Sequence, residues 1–264
     1  MKDTVTFPRL FVTDLDDTAL LRGRKPYARF SPEFSSFLDK LDSKGCRWAL
    51  NTSWDPDGQM DLVLSSGVKS RPLLLIGEFG KSISEVSGNL HTPAQPRADI
   101  IAGRIKEINE RIIFGIVKDL CAGFTPLSIH YYEHFFSFKT VPAEAAALTE
   151  YFRKKYGGNQ EITAFIGSGA VSVRPAFLGK GFALADALKI VSIEPDSVIA
   201  AGDDVPDIGM MNPETACFAL CPRNANETVK QHVITVGGVV GAYDADAGVI
   251  DAFEKLAKQN GWNW

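Results

Sequence analysis

Apolar strand-like runs alternate with amphipathic helical stretches over the first third of the chain, give way to a different pattern in the middle, and then resume. Alternation of this kind specifies β-α-β units and a parallel sheet. Leu10 to Thr13, Cys46 to Asn51 and Pro72 to Ile76 read as strands, with helices from about Ser31 to Ser43 and Pro56 to Ser65 between them. The first helix has a clear start: Ser31 as N-cap, Pro32 at the first helical position and Glu33 in the first turn, ahead of apolar Phe34, Phe37, Leu38 and Leu41. From Ser82 the sequence becomes polar and hairpin-like. A helix rich in Arg, Lys and Glu follows from Ala98 to Leu120, then strands around Ser128 to Tyr132, a helix from Ala143 to Lys155, and strands Ile162 to Ile166 and Ala170 to Val173. The first pattern returns after Arg174: helix Gly181 to Val191, strand Ser197 to Ala201, a short helix from Asp207 to Met211, strand Thr215 to Leu220 and a final helix from Val249 to Gln259. The expected fold class is α/β, a doubly wound, Rossmann-like parallel-sheet core over 1–81 and 175–264, interrupted by an inserted α+β cap over 82–174. Ligands of such cores bind beyond the carboxyl ends of the strands. Asp14, Thr52 and Asp203 each follow a predicted strand and should converge there.

A chain of 264 residues can be one large domain or a core with an insertion, and either buries a substantial interior. A formal charge of −4, with no long run of Lys and Arg, gives no footprint for nucleic acid. No apolar run approaches the ~20 residues that cross a bilayer, and Met1 to Phe7 lacks the apolar centre of a secretion signal. The expected setting is the cytoplasm, with no membrane partner. Nothing in the sequence demands an oligomer, and the oligomeric state is unassigned. Cys46, Cys121, Cys217 and Cys221 lie in or beside apolar segments without a CxxC pair, which points to buried free thiols rather than zinc.

The chemistry concentrates where the first strand ends. Asp14-Leu15-Asp16-Asp17-Thr18 sets three carboxylates and a hydroxyl within five residues. If the chain stays extended there, Asp14 and Asp16 face the same side. Two like charges so close imply a divalent cation, a shared proton or both. A solvated acidic turn is the plainer alternative for this stretch alone. Three further polar signals follow, at Asn51-Thr52-Ser53, Gly179-Lys180-Gly181 and Gly202-Asp203-Asp204-Val205-Pro206-Asp207. Singly, Thr52 reads equally well as a turn residue and Lys180 as a surface lysine. In this order the four motifs resemble the haloacid dehalogenase superfamily of phosphatases, over nearly the whole chain, with the first and last motifs the most specific. Asn224-Ala225-Asn226-Glu227-Thr228-Val229-Lys230 is similar to the Asn-Ala-x-x-x-Val-Lys segment of the Cof-type and sucrose-phosphatase-like branch. An insert between the second and third motifs resembles a type C2 cap.

The resemblance implies Asp14 as the nucleophile that forms an aspartyl-phosphate and Asp16 as general acid and base. It places Mg²⁺ on the Asp14 side chain, the Asp16 backbone carbonyl and Asp203, with Asp207 behind these ligands. Thr52, Ser53 through its backbone N–H, and Lys180 would hold the phosphoryl oxygens, and no organic cofactor is implied. The chemistry agrees: a carboxylate is ionised at neutral pH, but its attack on an anionic phosphoryl group requires that group's charge to be neutralised. Three positions depart from the relatives. Ser53-Trp54 stands for Gly-Arg, Pro206 for Asn, and Glu78-Phe79-Gly80 where Asn-Gly is frequent. Candidates for contact with the leaving group are Trp54, Glu78, His130, Tyr132, His134 and Arg174, each with a structural role as its alternative; by alternation His130, Tyr132 and His134 share one strand face. The expected activity is Mg²⁺-dependent hydrolysis of a small phosphorylated metabolite, a sugar phosphate first among them. A phosphomutase of the phosphomannomutase kind is the alternative, and a non-catalytic binding protein on the same fold is a third.

Overall fold

β1 (Leu10–Thr13) is buried along its whole length, and the main sheet extends from it in both directions. The computed structural model describes residues 6–25 and 27–264, so most of the amino-terminal stretch read for a secretion signal lies outside the described residues. β1 pairs in parallel with β2 (Arg47–Asn51) on one side and with β10 (Val198–Ala201) on the other. β3 (Leu74–Gly77) continues the parallel set beyond β2. β11 (Phe218–Cys221) and β12 (Val239–Val240) continue it beyond β10. An antiparallel hairpin, β4 (Ser82–Ser87) and β5 (Leu90–Pro93), closes the β3 edge and completes eight strands in the order β12-β11-β10-β1-β2-β3-β4-β5.

Side chains alternate across this sheet, and both faces are apolar, as a parallel sheet covered on both sides requires. Phe11, Trp48, Leu50, Leu75 and Ile199 share one buried cluster with α1 (Pro32–Ser43), α2 (Pro56–Ser65) and α8 (Ala245–Asn260). Leu10, Val12, Ala49, Leu74, Ile76 and Val198 share the other with α6 (Lys180–Val191) and α7 (Glu227–Thr235). The Ser31 hydroxyl accepts the Phe34 N–H at 3.1 Å, so the N-cap forms as the sequence signals. The helix then sets Phe37 against Phe11 and Phe253, with ring centroids 5.5 and 5.2 Å apart.

The chain divides into two compact units. One runs up to Ala94 and resumes over Gly179–Trp264; the other is Gln95–Leu178. The second unit holds α3 (Arg97–Ile108), α4 (Phe114–Gly123), α5 (Ala145–Tyr156) and an antiparallel sheet of β6 (Pro126–Tyr132), β7 (Phe135–Thr140), β8 (Ile162–Gly167) and β9 (Ala170–Pro175), ordered β6-β7-β9-β8. Its own core packs Phe136, Phe138, Val171 and Val173 against Ile116, Leu120, Leu148 and Phe152.

Several sequence expectations need correction. The insert begins at Gln95 rather than at 82, because the polar hairpin of β4 and β5 hydrogen-bonds to β3 and belongs to the main sheet, and it ends at Leu178 rather than at 174. The helix expected from Ala98 to Leu120 is broken by a π-helical turn, Asn109–Ile113, where the Asn109 side-chain amide donates to the Glu133 carbonyl at 2.7 Å. His134 does not alternate with His130 and Tyr132 on one strand face: β6 ends at Tyr132, and His134 lies in the turn to β7. Cys121 is exposed, unlike buried Cys46 and Cys221, because it falls on the outer side of α4. α7 and β12 were not anticipated.

Candidate active site

Asp14 directly follows β1, and its N–H donates to the carbonyl of Ala201 at the end of β10, at 3.0 Å. The chain does not stay extended beyond it. The N–H groups of Thr18, Ala19 and Leu20 all donate to the Leu15 carbonyl, closing a tight loop in which Asp17 takes a left-handed φ of 59°. Asp14, Asp16 and Asp17 nonetheless line one cavity with Arg22, Ser53, Phe79, Lys180, Asp203, Asp204, Pro206, Asp207, Asn224 and Asn226.

Lys180 is the centre of the charge arrangement. Its buried ammonium lies 2.6 Å from Asp14 Oδ1 and 2.5 Å from Asp207 Oδ1. Asp207 Oδ2 accepts the N–H groups of Asp203 and Asp204, each at 3.0 Å, so both its oxygens are engaged. Asp204 caps the 3-10 helix Val205–Met211, with Pro206 in its first turn, and the Asp207 contact to the Asp204 N–H completes a capping box. Two glycines allow this closeness. A Cβ on Gly202 would fall 2.4 Å from Asp207 Cβ, and one on Gly181 would fall 2.5 Å from the Gly209 carbonyl oxygen. Asp203 Oδ1 accepts the Thr18 hydroxyl at 2.6 Å, joining the first motif to the last.

Asp14, Asp203 and Asp207 can each bring one oxygen within 4.8 Å of the others. Burial pushes the Asp14 carboxyl up to about 6; Lys180 opposes this and Asp207 adds to it. Burial also raises Asp203 to about 7, against the Thr18 hydrogen bond and with the charges of Asp14 and Asp207. For Lys180, burial favours the neutral form, but the two carboxylates more than offset it and hold the ammonium well above its ordinary range. Asp14 and Asp207 thus share one buried ammonium with Asp203 close beside them, and the cluster carries excess negative charge.

The other expected residues separate into groups. Thr52 follows β2 directly and is buried, its N–H donating to the Ile76 carbonyl at 3.0 Å, whereas Ser53 reaches the cavity. Trp54 donates its indole N–H to Asp16 Oδ2 at 2.9 Å. Glu78 accepts from Lys81 Nζ at 3.1 Å and from the Ser82 hydroxyl, and its neighbour Phe79 lines the cavity. His130, Tyr132, His134 and Arg174 belong to the second unit. There the Tyr132 and His134 rings lie 6.3 Å apart, and the buried Arg174 guanidinium lies 5.1 Å from the Phe165 ring centre.

The sequence reading missed several supports. The Asn51 amide donates to the Lys180 carbonyl at 3.0 Å, fixing the start of α6. The Tyr27 hydroxyl donates to Asp16 Oδ1. Asn224 donates to the Asp17 carbonyl at 2.8 Å and accepts the Ala245 N–H at 2.6 Å, holding the acidic loop against the start of α8. Asn51 and Asn224 lie within motifs without a role assigned to either, and Tyr27 carries no sequence signal.

Residues 125–253 match the family model of haloacid dehalogenase-like hydrolases. Among solved structures, the chain is similar to the sucrose-phosphatase of Synechocystis sp. PCC6803, determined with sucrose and phosphate: 18% identity, TM-score 0.66, covering 98% of this chain and 100% of that one. It is similar to a HAD/COF-like hydrolase of Plasmodium vivax at 14% identity and TM-score 0.66, covering 98% of each chain. A haloacid dehalogenase-like hydrolase of Bacteroides thetaiotaomicron aligns at 14% identity and TM-score 0.60, covering 94% of this chain and 99% of that one. No curated protein sequence matches significantly. The family match spans Lys180, Asp203 and Asp207, and the fold is shared with these solved structures along almost the entire chain, so this half of the chain is similar to the haloacid dehalogenase-like hydrolases.

Proposed function

We propose that this hydrolase is a Mg²⁺-dependent phosphomonoesterase that works through an aspartyl-phosphate on Asp14 and acts on a small phosphorylated metabolite, with a sugar phosphate the leading class. The observation that carries this reading is the buried ammonium of Lys180 set between Asp14 and Asp207 in a cavity that also holds Asp16 and Asp203. The similarity to a phosphatase solved with sucrose and phosphate supports a sugar substrate.

The donor set fits Mg²⁺. It consists of hard carboxylate oxygens within reach of one centre, carrying more negative charge than Lys180 balances. Asp14, Asp203 and the Asp16 backbone carbonyl would hold the ion. Asp207, with both oxygens already engaged, would fix Lys180 and the Asp203 backbone in place. When bound, the metal supplies charge neutralisation for the phosphoryl oxygens and the attacking carboxylate.

Asp14 forms a bond to phosphorus as the bond from phosphorus to the alcohol oxygen breaks, and Asp16 gives that oxygen its proton. Water then attacks the phosphorus of the acyl phosphate and passes a proton to Asp16, releasing phosphate and restoring Asp14. Lys180 meets the negative charge carried by the phosphoryl oxygens, and Ser53 and Thr52 offer donors at the end of β2.

The experiment is phosphate release from a panel of sugar, polyol and nucleoside phosphates, with and without Mg²⁺, using Asp14→Asn as the blank. The expected result is Mg²⁺-dependent release by the wild type alone, with borohydride trapping a reduced adduct at residue 14. Interconversion of sugar phosphate isomers without release would replace this reading with a mutase, and full activity of Asp14→Asn would exclude the covalent route.

A further inference from the structure

Both carboxylate oxygens of Asp16 are held by neutral donors. The Trp54 indole N–H donates to Oδ2 at 2.9 Å, and the Tyr27 hydroxyl donates to Oδ1. Trp54 is itself anchored through its backbone. Its carbonyl accepts the Gln59 side-chain amide at 2.9 Å and the Glu78 N–H at 3.2 Å. Gln59 is fully buried, and the same amide nitrogen lies 3.2 Å from the Ile76 carbonyl at the end of β3. Gly77 packs directly on the Trp54 peptide, since a Cβ there would fall 2.5 Å from the Trp54 oxygen. The indole therefore projects from a peptide fixed between β3 and α2, the kind of support that holds a reacting group to a defined geometry.

The two donors differ in what they permit. An indole N–H only donates, whereas a hydroxyl donates or accepts. Oδ2 must remain an acceptor whether or not Asp16 carries a proton, while Oδ1 faces a group that can exchange roles with it.

We propose that Trp54 is a positioning residue for Asp16: its N–H sets the rotation of the carboxylate so that Oδ1 is the oxygen that exchanges a proton with the leaving alcohol. The Tyr27 hydroxyl holds that oxygen until the substrate oxygen takes its place. This deepens the phosphomonoesterase reading and rests on it. As the bond from phosphorus to the alcohol oxygen breaks and Asp14 bonds to phosphorus, the proton on Oδ1 passes to the departing oxygen. The attacking water later returns a proton to the same atom. The role also accounts for an indole at the position where relatives carry Arg: it supplies a directed donor without adding a cation beside the acid.

The test compares kcat/KM for glycerol 2-phosphate and p-nitrophenyl phosphate, using the full chain with Mg²⁺. This ratio covers only the steps up to alcohol release, and p-nitrophenolate leaves with little need of a proton. Trp54→Phe should lose roughly 10- to 100-fold on glycerol 2-phosphate and less than about 3-fold on p-nitrophenyl phosphate. Replacing Trp54 with 3-benzothienylalanine, which puts sulfur in place of N–H in a bicycle of the same shape, should reproduce that split at unchanged Tm. Equal losses on both substrates, or none on either, from the benzothienyl variant would overturn the positioning role. Asp16→Asn is the reference and should show the same split more steeply. A wild type that releases phosphate from neither substrate, or an Asp16→Asn without the split, would remove the underlying reading, and the inference with it.

Discussion

Lys180 does more for this protein than its position at a helix start suggests. Its ammonium is the cation that Asp14 and Asp207 share, and removing one partner of a buried ion cluster leaves the others uncompensated. Lys180→Met should therefore destabilise the fold by about 3–5 kcal/mol as well as abolish turnover, as read by urea unfolding in the presence of a chelator. Asp203 makes a different prediction. If it helps to hold Mg²⁺, the ion should raise the Tm of the wild type by roughly 5–10 °C at a hundredfold excess over Kd. Asp203→Asn should lose that rise, and an equal rise in the variant would remove Asp203 from the ligand set. The acidic residues and Lys180 stand out in the sequence because charged groups directly after apolar runs, or at a helix start, are conspicuous. Tyr27 does not stand out, and the role of Asn51 is not legible although its motif is, because both roles arise only from contacts made when the chain folds. Asn51 meets a carbonyl 129 positions away, and no local pattern encodes that.

At the scale of elements, backbone proximity decides what each position tolerates. Gly181 in the first turn of α6 touches the Gly209 peptide of the 3-10 helix, whereas Gly103 in α3 has nothing within 4 Å of where a Cβ would stand. The same substitution should act with opposite sign. Gly181→Ala should cost about 1–3 kcal/mol by forcing α6 away from the 3-10 helix, and Gly103→Ala should gain about 0.5–1 kcal/mol in helix propensity. Thermal unfolding of the two variants checks both signs. Helices with a cap and an apolar stripe, such as α1, are legible in sequence because both signals are local. The π-helical turn between α3 and α4 is not, because the apolar spacing runs on through it. The β4-β5 hairpin misled for a related reason: an edge strand can be polar, so its sequence does not tell which sheet it joins.

At the scale of the whole molecule, each of the two units has its own apolar centre, and the smaller is continuous in sequence. Excised Gln95–Leu178 should therefore fold alone, giving a dispersed amide proton spectrum. Phe136→Ala should collapse that dispersion, since about 3–5 kcal/mol is a large share of the stability of a domain this small. The interrupted alternation made the two-part organisation legible, although the first junction moves from 82 to Gln95, where strand pairing rather than composition places it. The larger unit is discontinuous, and β1 at its centre takes one neighbour, β10, from far along the chain: Leu10 pairs with Val198. During synthesis, β1 and Asp14, the proposed nucleophile that follows it, must wait for that neighbour. At about 5–20 residues per second the delay is roughly 10–40 s. Throughout that interval Lys180, Asp203 and Asp207 are absent or not yet in place, so a nascent chain that has already made Asp14 lacks the charge cluster proposed to do the chemistry until synthesis has passed β10.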